Sequence, residues 1–246
     1  MSLKRGDTII EVLFALSVFS LVAILSLNLM NNGVVTAQAS LETTMVRNEV
    51  NTQAEALRFI HDTVTAGSSD EAYQKAWDEI TSLAQDNSLD DFVYPPDNNN
   101  DKYGMSCATY YKEDGANNIG SKNAFVLDAR RLKKTANKDI LVKYNNPNVK
   151  FQEAGNYARV IYGGSTGSSS ENEKLLTTDI NARDVIAAEG IWVIGVPSAI
   201  KVKEEEGVNV PQYYDFYIQS CWYNPGKNVP STIGTVIRLY QPKGVK

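Results

Sequence analysis

Histidine and cysteine are almost absent from this chain, with one His and two Cys among 246 residues. His61, the sole histidine, falls on an amphipathic stretch where a solvated or capping role suits its neighbours. No Ser-His-Asp or Cys-His constellation can be built around it without a nucleophile beside that stretch, and nothing in the sequence suggests one. Gly163-Gly164-Ser165-Thr166-Gly167 lacks the Gly-Lys-Ser/Thr ending of a phosphate loop. A basic surplus is also missing, since the formal net charge is −5, so the overall field does not favour nucleic acid. The chain therefore reads as a protein without enzymatic activity and without a cofactor. Two further absences carry information of a different kind. No ionisable side chain occurs from Val12 to Leu41, and no proline interrupts residues 8–66.

Immediately before that uncharged stretch the sequence places Glu11, at the edge of its most apolar part, Val12 to Leu29. About twenty apolar residues cross a bilayer. A carboxylate near the centre of such a span costs at least ~2 kcal/mol, and less at its edge, which marks Glu11 as a residue with a use. Ahead of it stand Lys4, Arg5 and Gly6, then Asp7. By the positive-inside rule the two basic residues put the N-terminus in the cytoplasm and everything after Leu29 outside it.

A short basic leader ending in Gly, followed by Glu at the fifth position of the remaining chain and a long apolar run, resembles the class III signal of type IV pilins and their relatives. The resemblance covers roughly the first fifth of the chain. It implies cleavage between Gly6 and Asp7 by a prepilin peptidase, N-methylation at Asp7, and an assembly role for Glu11. The sequence departs from the family at Asp7, where a Phe is usual, so a second carboxylate stands beside the new amine. Loss of Lys4 and Arg5 with the leader would take the net charge from −5 to −7. Two other readings share some of these features. A plain signal anchor explains the basic flank and the span but not Gly6 and Glu11, and a secretory signal peptide would need a cleavage site such as the distant Ala37-Gln38-Ala39.

Cys107 and Cys221 both fall in the exported part, where oxidation is permitted, and a disulfide is the natural pairing; two buried free thiols are the alternative. After Asn31-Asn32-Gly33 the sequence turns amphipathic. Val46, Val50, Ala54, Leu57, Ile60 and Val64 recur every three or four residues, while Arg47, Glu49, Glu55, Arg58 and Asp62 take other faces. One helix from Thr8 to Ala66 is expected, with Gly33 as the point of bending or local melting. Ser68 and Glu71 have the form of a capping box for a second helix, whose apolar stripe is Tyr73, Ala76, Trp77, Ile80, Leu83 and Ala84. Asp86 to Met105 reads as an exposed loop.

The remainder is β-rich. Strands are expected at Ala108 to Lys112, Ala124 to Leu127, Ile140 to Tyr144, Tyr157 to Tyr162, Ile191 to Val196, Ile200 to Lys203, Tyr213 to Tyr223 and Thr235 to Gln241, with a short helix at Asp128 to Thr135. The last two strands flank Asn224-Pro225-Gly226 and a Pro-containing loop, which predicts a C-terminal antiparallel hairpin. Gly163 to Ser170 reads as a flexible surface loop. The fold class is thus α+β, a long N-terminal helix, transmembrane and then amphipathic, packed on an antiparallel sheet. The expected organisation is a leader at 1–6, a membrane and assembly helix at 7–33, and the amphipathic half-helix with a globular head at 34–246.

Two head features suggest chemistry weakly. Asp97, Asn99 and Asp101 alternate like the opening of a calcium loop, but Lys102 stands where the turn Gly belongs and no Glu closes the loop, so a solvated loop is the expectation. Tyr110, Tyr111, Tyr213, Tyr214, Tyr217 and Tyr223 suit half-buried strands and adhesive surfaces alike.

The expected function is structural: a subunit, leaning to a minor one, of a type IV pilus-like filament serving adhesion, motility or DNA uptake. It would be held in the membrane before processing and at the cell surface afterwards. Its partners would be other pilin subunits through the N-terminal helix, the peptidase and the assembly machinery. The alternatives are a pseudopilin of a type II secretion system and a membrane-tethered extracellular binding domain.

Overall fold

Helix α1 runs from Asp7 to Thr65, and its helical pattern continues unbroken through Asn31, Asn32 and Gly33. The local melting expected at Gly33 therefore does not occur; a single Gly costs only about 1 kcal/mol in a helix interior, which its long flanks can absorb. The computed structural model describes residues 7–67, 71–85, 87, 107, 123–132, 140–144, 146, 148–164, 183–203, 209–227 and 229–242. The expected leader, the capping residue Ser68, the 86–105 loop apart from Asn87 and so including Asp97, Asn99 and Asp101, the 108–112 strand and 165–170 lie outside those residues.

The chain divides into two compact units, Met1–Glu42 and Thr43–Lys246. In the first, the large apolar side chains from Ile9 to Met30 are exposed, and the segment is long and apolar enough to cross a membrane. In the second, the α1 residues from Thr43 onward form one wall of a core. Val46, Val50, Ala54, Leu57, Ile60 and Val64, the six positions picked out by spacing, are all buried. Gln53 and Ala56 are buried with them.

Helix α2 spans Glu71–Gln85 and buries Tyr73, Ala76, Trp77, Ile80 and Ala84. Its partner is the principal sheet, made of β1 (Phe125–Leu127), β2 (Leu141–Lys143), β6 (Ile191–Pro197), β9 (Tyr213–Tyr223) and β10 (Pro230–Tyr240) in the order β10-β9-β6-β1-β2. Every pairing in it is antiparallel. The close approach of α2 depends on Gly195 in β6, where an added Cβ would lie 2.8 Å from both the Ala84 Cβ and the Phe216 Cε1. Trp77 fills the space between helices and sheet, its ring edge-on to His61, Tyr214 and, tilted, Phe216 at 5.3, 6.2 and 6.1 Å between centroids.

A smaller sheet orders β3 (Lys150–Gln152), β5 (Arg183–Glu189) and β4 (Arg159–Gly164) as β3-β5-β4. Its β3–β5 pair is parallel, whereas the five-stranded sheet is antiparallel as expected. Gly190 joins the two sheets with a positive φ of 61°, donating its N–H to the Gln152 carbonyl and accepting from the Cys221 N–H. A two-stranded ribbon, β7 (Lys201–Lys203) with β8 (Asn209–Pro211), stands between β6 and β9 in the chain.

Strands β3, β5 and β8 were not expected from the sequence. Strand β10 also begins at Pro230 rather than Thr235. Pro230 is its first residue and Gly234 lies within an edge strand, the two settings in which a sheet tolerates them. The short helix expected from Asp128 is a single 3-10 turn, Ala129–Arg131, capped by the Asp128 carboxylate, which accepts from the Arg130 N–H at 3.2 Å.

Candidate functional site

Glu11 lies on α1, four residues after Asp7, and its side chain is exposed among exposed apolar neighbours. Three hydroxyls of this segment are satisfied by the helix itself. Ser17 Oγ donates to the Phe14 carbonyl at 2.7 Å, Ser20 Oγ to Leu16 at 2.8 Å and Thr36 Oγ1 to Asn32 at 2.9 Å. Their polarity is thereby withdrawn from the helix surface, leaving Glu11 as the only charged side chain from Thr8 to Leu41. Gly6 lies outside the described residues, and Asp7 is the first residue of α1.

In the head, α1 is fastened to the sheet by polar latches as well as by its apolar stripe. The Gln53 side chain is fully buried and takes the place of a neighbouring strand for β1. Its Nε2 donates to the Leu127 carbonyl at 2.9 Å, and its Oε1 accepts from the Leu127 N–H at 2.7 Å. His61 forms the second latch: Nε2 donates to the Tyr240 carbonyl at 2.8 Å, and Nδ1 lies 3.0 Å from Asp62 Oδ1. The expected solvated or capping place for His61 is thus replaced by a largely buried contact with the end of β10. Neither latch was visible in the sequence. Gln53 carries no sign of its partner 74 residues away, and His61 was weighed only against catalysis.

Beside α1 a buried carboxylate, Asp128, is held by Arg130 through Nε and Nη2 at 3.0 and 2.9 Å and by Arg131 Nε at 3.2 Å. The Arg130 guanidinium lies 3.3 Å over the Tyr162 ring. Burial pushes the Tyr162 phenol far above its ordinary range, and the nearby Asp128 and Glu49 carboxylates add to the shift. Glu49 is itself raised by burial, against a smaller opposing effect from a hydrogen bond with the Val160 backbone. It is half-buried, whereas Arg47, Glu55, Arg58 and Asp62, the other charged positions of the amphipathic pattern, are exposed.

Cys107 and Cys221 form a disulfide with Cα atoms 5.6 Å apart. It lies with Ala124, Trp192 and Ile194 in a second apolar cluster, separate from the main core. Further along the same face of β9 and β10, Asp215 accepts from Arg238 Nε and Nη2, both at 2.8 Å. The Arg238 guanidinium sits 3.9 Å from the Tyr213 ring centroid, and Tyr240 meets Tyr213 edge-on at 5.9 Å. Asp215 holds the Arg238 guanidinium above its ordinary range, and burial raises the Tyr217 phenol. The pairing was not anticipated, although Tyr213 and Tyr217 were.

Among the described residues no group of three or more His, Cys, Asp or Glu side chains is placed to hold a metal ion. The weak calcium candidate, Asp97, Asn99 and Asp101, lies outside them. No protein family, curated protein or solved structure matches this chain.

Proposed function

We propose that this chain is a pilin-like structural subunit, anchored by the apolar half of α1 and assembled into a type IV pilus-like filament through that same segment. The observation that carries the reading is one uninterrupted helix whose first part exposes a nearly chargeless apolar surface and whose second part is built into the core of a disulfide-bonded head. Glu11 is the residue that assigns assembly rather than anchoring alone. Cleavage after Gly6 would leave a positive amine at Asp7, and Glu11 of a neighbouring subunit would pair with it in an apolar bundle. Removing one partner of a buried ion pair costs about 3–5 kcal/mol.

The N-terminus of native material, read by intact mass, tests the processing: a chain beginning at Asp7 is expected, and one beginning near Ala39 would establish a secretory signal instead. Glu11→Val is expected to leave membrane insertion and leader removal intact while depleting the subunit from sheared filaments. Undiminished incorporation would remove the assembly role and leave a membrane-tethered head.

A further inference from the structure

Strand β10 forms an edge of the principal sheet, paired with β9 on one side and with no described strand on the other. Which of its residues face the open side follows from the hydrogen bonds of β9. The Tyr213 carbonyl accepts from Ser198 and its N–H donates to Ser198 Oγ, and the Cys221 N–H donates to Gly190, so odd-numbered residues of β9 face β6. Their partners across the hairpin are the even-numbered residues of β10, from Tyr240 opposite Tyr213 to Thr232 opposite Cys221. In an antiparallel pair, residues not bonded to one neighbour direct N–H and C=O to the other side. Thr232, Gly234, Val236, Arg238 and Tyr240 therefore face outward, and the Tyr240 carbonyl does so visibly, since it reaches His61.

Two features bound this open edge. At one end Pro230 has no N–H to offer, and at the other His61 takes the carbonyl of Tyr240. Thr235 is the midpoint between them. The usual protections of an edge are missing within it: no lysine, no internal proline, no bulge in the pairing with β9, and one charge, Arg238, already engaged by Asp215.

We propose that a second copy of this chain pairs with this edge, β10 against β10, antiparallel about a two-fold axis through Thr235. The register is self-complementary. It sets Gly234 opposite Val236 and Thr232 opposite Arg238, which brings outward-facing residues together at every step and supplies about eight backbone hydrogen bonds. On the face toward the helices it sets Ile233 opposite Ile237 and Thr235 opposite itself. The two Arg238 guanidinium groups lie at opposite ends of the ladder, so no like charges face each other. Isologous pairing demands an open segment symmetrical about its centre, and Pro230 and the His61 contact confine β10 to one. The proposal does not rest on the filament reading.

The full-length chain, purified in detergent micelles, tests this through Thr235→Cys. Directly opposed residues that do not exchange hydrogen bonds have Cα atoms about 4.5 Å apart, within disulfide reach. The native cysteines are occupied by their own bond. A cross-linked dimer on a non-reducing gel is expected for Thr235→Cys and not for Lys227→Cys on the exposed hairpin turn. Adding Val236→Pro, which deletes only an outward N–H, should abolish the cross-link while leaving the thermal unfolding transition in place. If that variant unfolds, Gly234→Lys with Val236→Lys replaces it, setting lysines opposite one another across the axis. Absence of the Thr235→Cys cross-link overturns the proposal, including the case in which the edge accepts only a strand from a different protein. A cross-link that persists with the edge blocked overturns it equally.

Discussion

Replacing Gln53 with leucine isolates the polar latch between α1 and β1. Leucine keeps most of the volume and adds no charge, so the change reads the two hydrogen bonds to Leu127, at 2.9 and 2.7 Å, with little cavity contribution. Leu127 is itself fully buried, and loss of the amide strands its N–H and C=O away from water. Each buried unsatisfied group costs about 1–3 kcal/mol. The added apolar burial of leucine returns about 1 kcal/mol or somewhat more. The net expectation is a loss of about 2–4 kcal/mol of head stability. Urea denaturation followed by tryptophan fluorescence measures it, because the three tryptophans, Trp77, Trp192 and Trp222, are all buried in the head and none lies in the apolar half of α1. Gln53→Glu sharpens the test. A carboxylate can accept from the Leu127 N–H but cannot donate to its carbonyl, whereas the protonated acid can do both. The deficit of this variant relative to the natural chain should therefore shrink as pH falls. A Gln53→Leu loss under about 1 kcal/mol, with no pH-dependent recovery in Gln53→Glu, would refute the assignment of the latch.

Three further outcomes follow from the head. Gly190→Ala should destabilise it by about 2–4 kcal/mol, since the added Cβ would lie 2.3 Å from the Cys221 carbonyl oxygen at a positive φ; the same denaturation curve reads this. Replacing both Cys107 and Cys221 with serine opens a loop spanning 114 residues and should cost a few kcal/mol, up to about 4–5 on the chain-entropy account, and should remove the reductant sensitivity expected of the natural protein. Glu49 is raised by burial, so the folded head keeps its proton at pH values where the unfolded chain has lost it. Stability attributable to that proton is present below the ordinary carboxylate range and falls as pH rises through the raised value; Glu49→Gln should flatten this slope and stabilise the head at neutral pH.

The helical part of this architecture was legible because its signal is local and periodic. Six apolar positions at helical spacing in α1 and the stripe on α2 read directly as buried faces, and all but Leu83, which packs partly buried against the core, are fully enclosed. The C-terminal hairpin was equally open to reading, since Tyr213 to Tyr223 alternates and a Pro-Gly turn follows. What escaped was set by distant partners. Strand β5, Arg-Asp-Val-Ile-Ala-Ala-Glu, has neither alternation nor β-branched density, and its extended form depends on β3 and β4 beside it. Gln53 looked like an ordinary polar residue on a helix face because its two hydrogen bonds are to a strand far along the chain. Glu49 was assigned to the solvated side by its charge, yet β4 supplies the Val160 contact that accompanies its burial.

The inward-turned hydroxyls of Ser17, Ser20 and Thr36 have a consequence for transfer between environments. A side chain whose hydrogen bond is made within its own helix asks nothing of what surrounds it, so acyl chains and the flanks of other apolar helices are nearly equivalent solvents for this segment. Leaving one for the other then requires no exchange of partners at those three hydroxyls. If the segment makes the proposed passage from membrane to filament, charge discrimination between the two media falls to Glu11, the one ionisable side chain from Thr8 to Leu41.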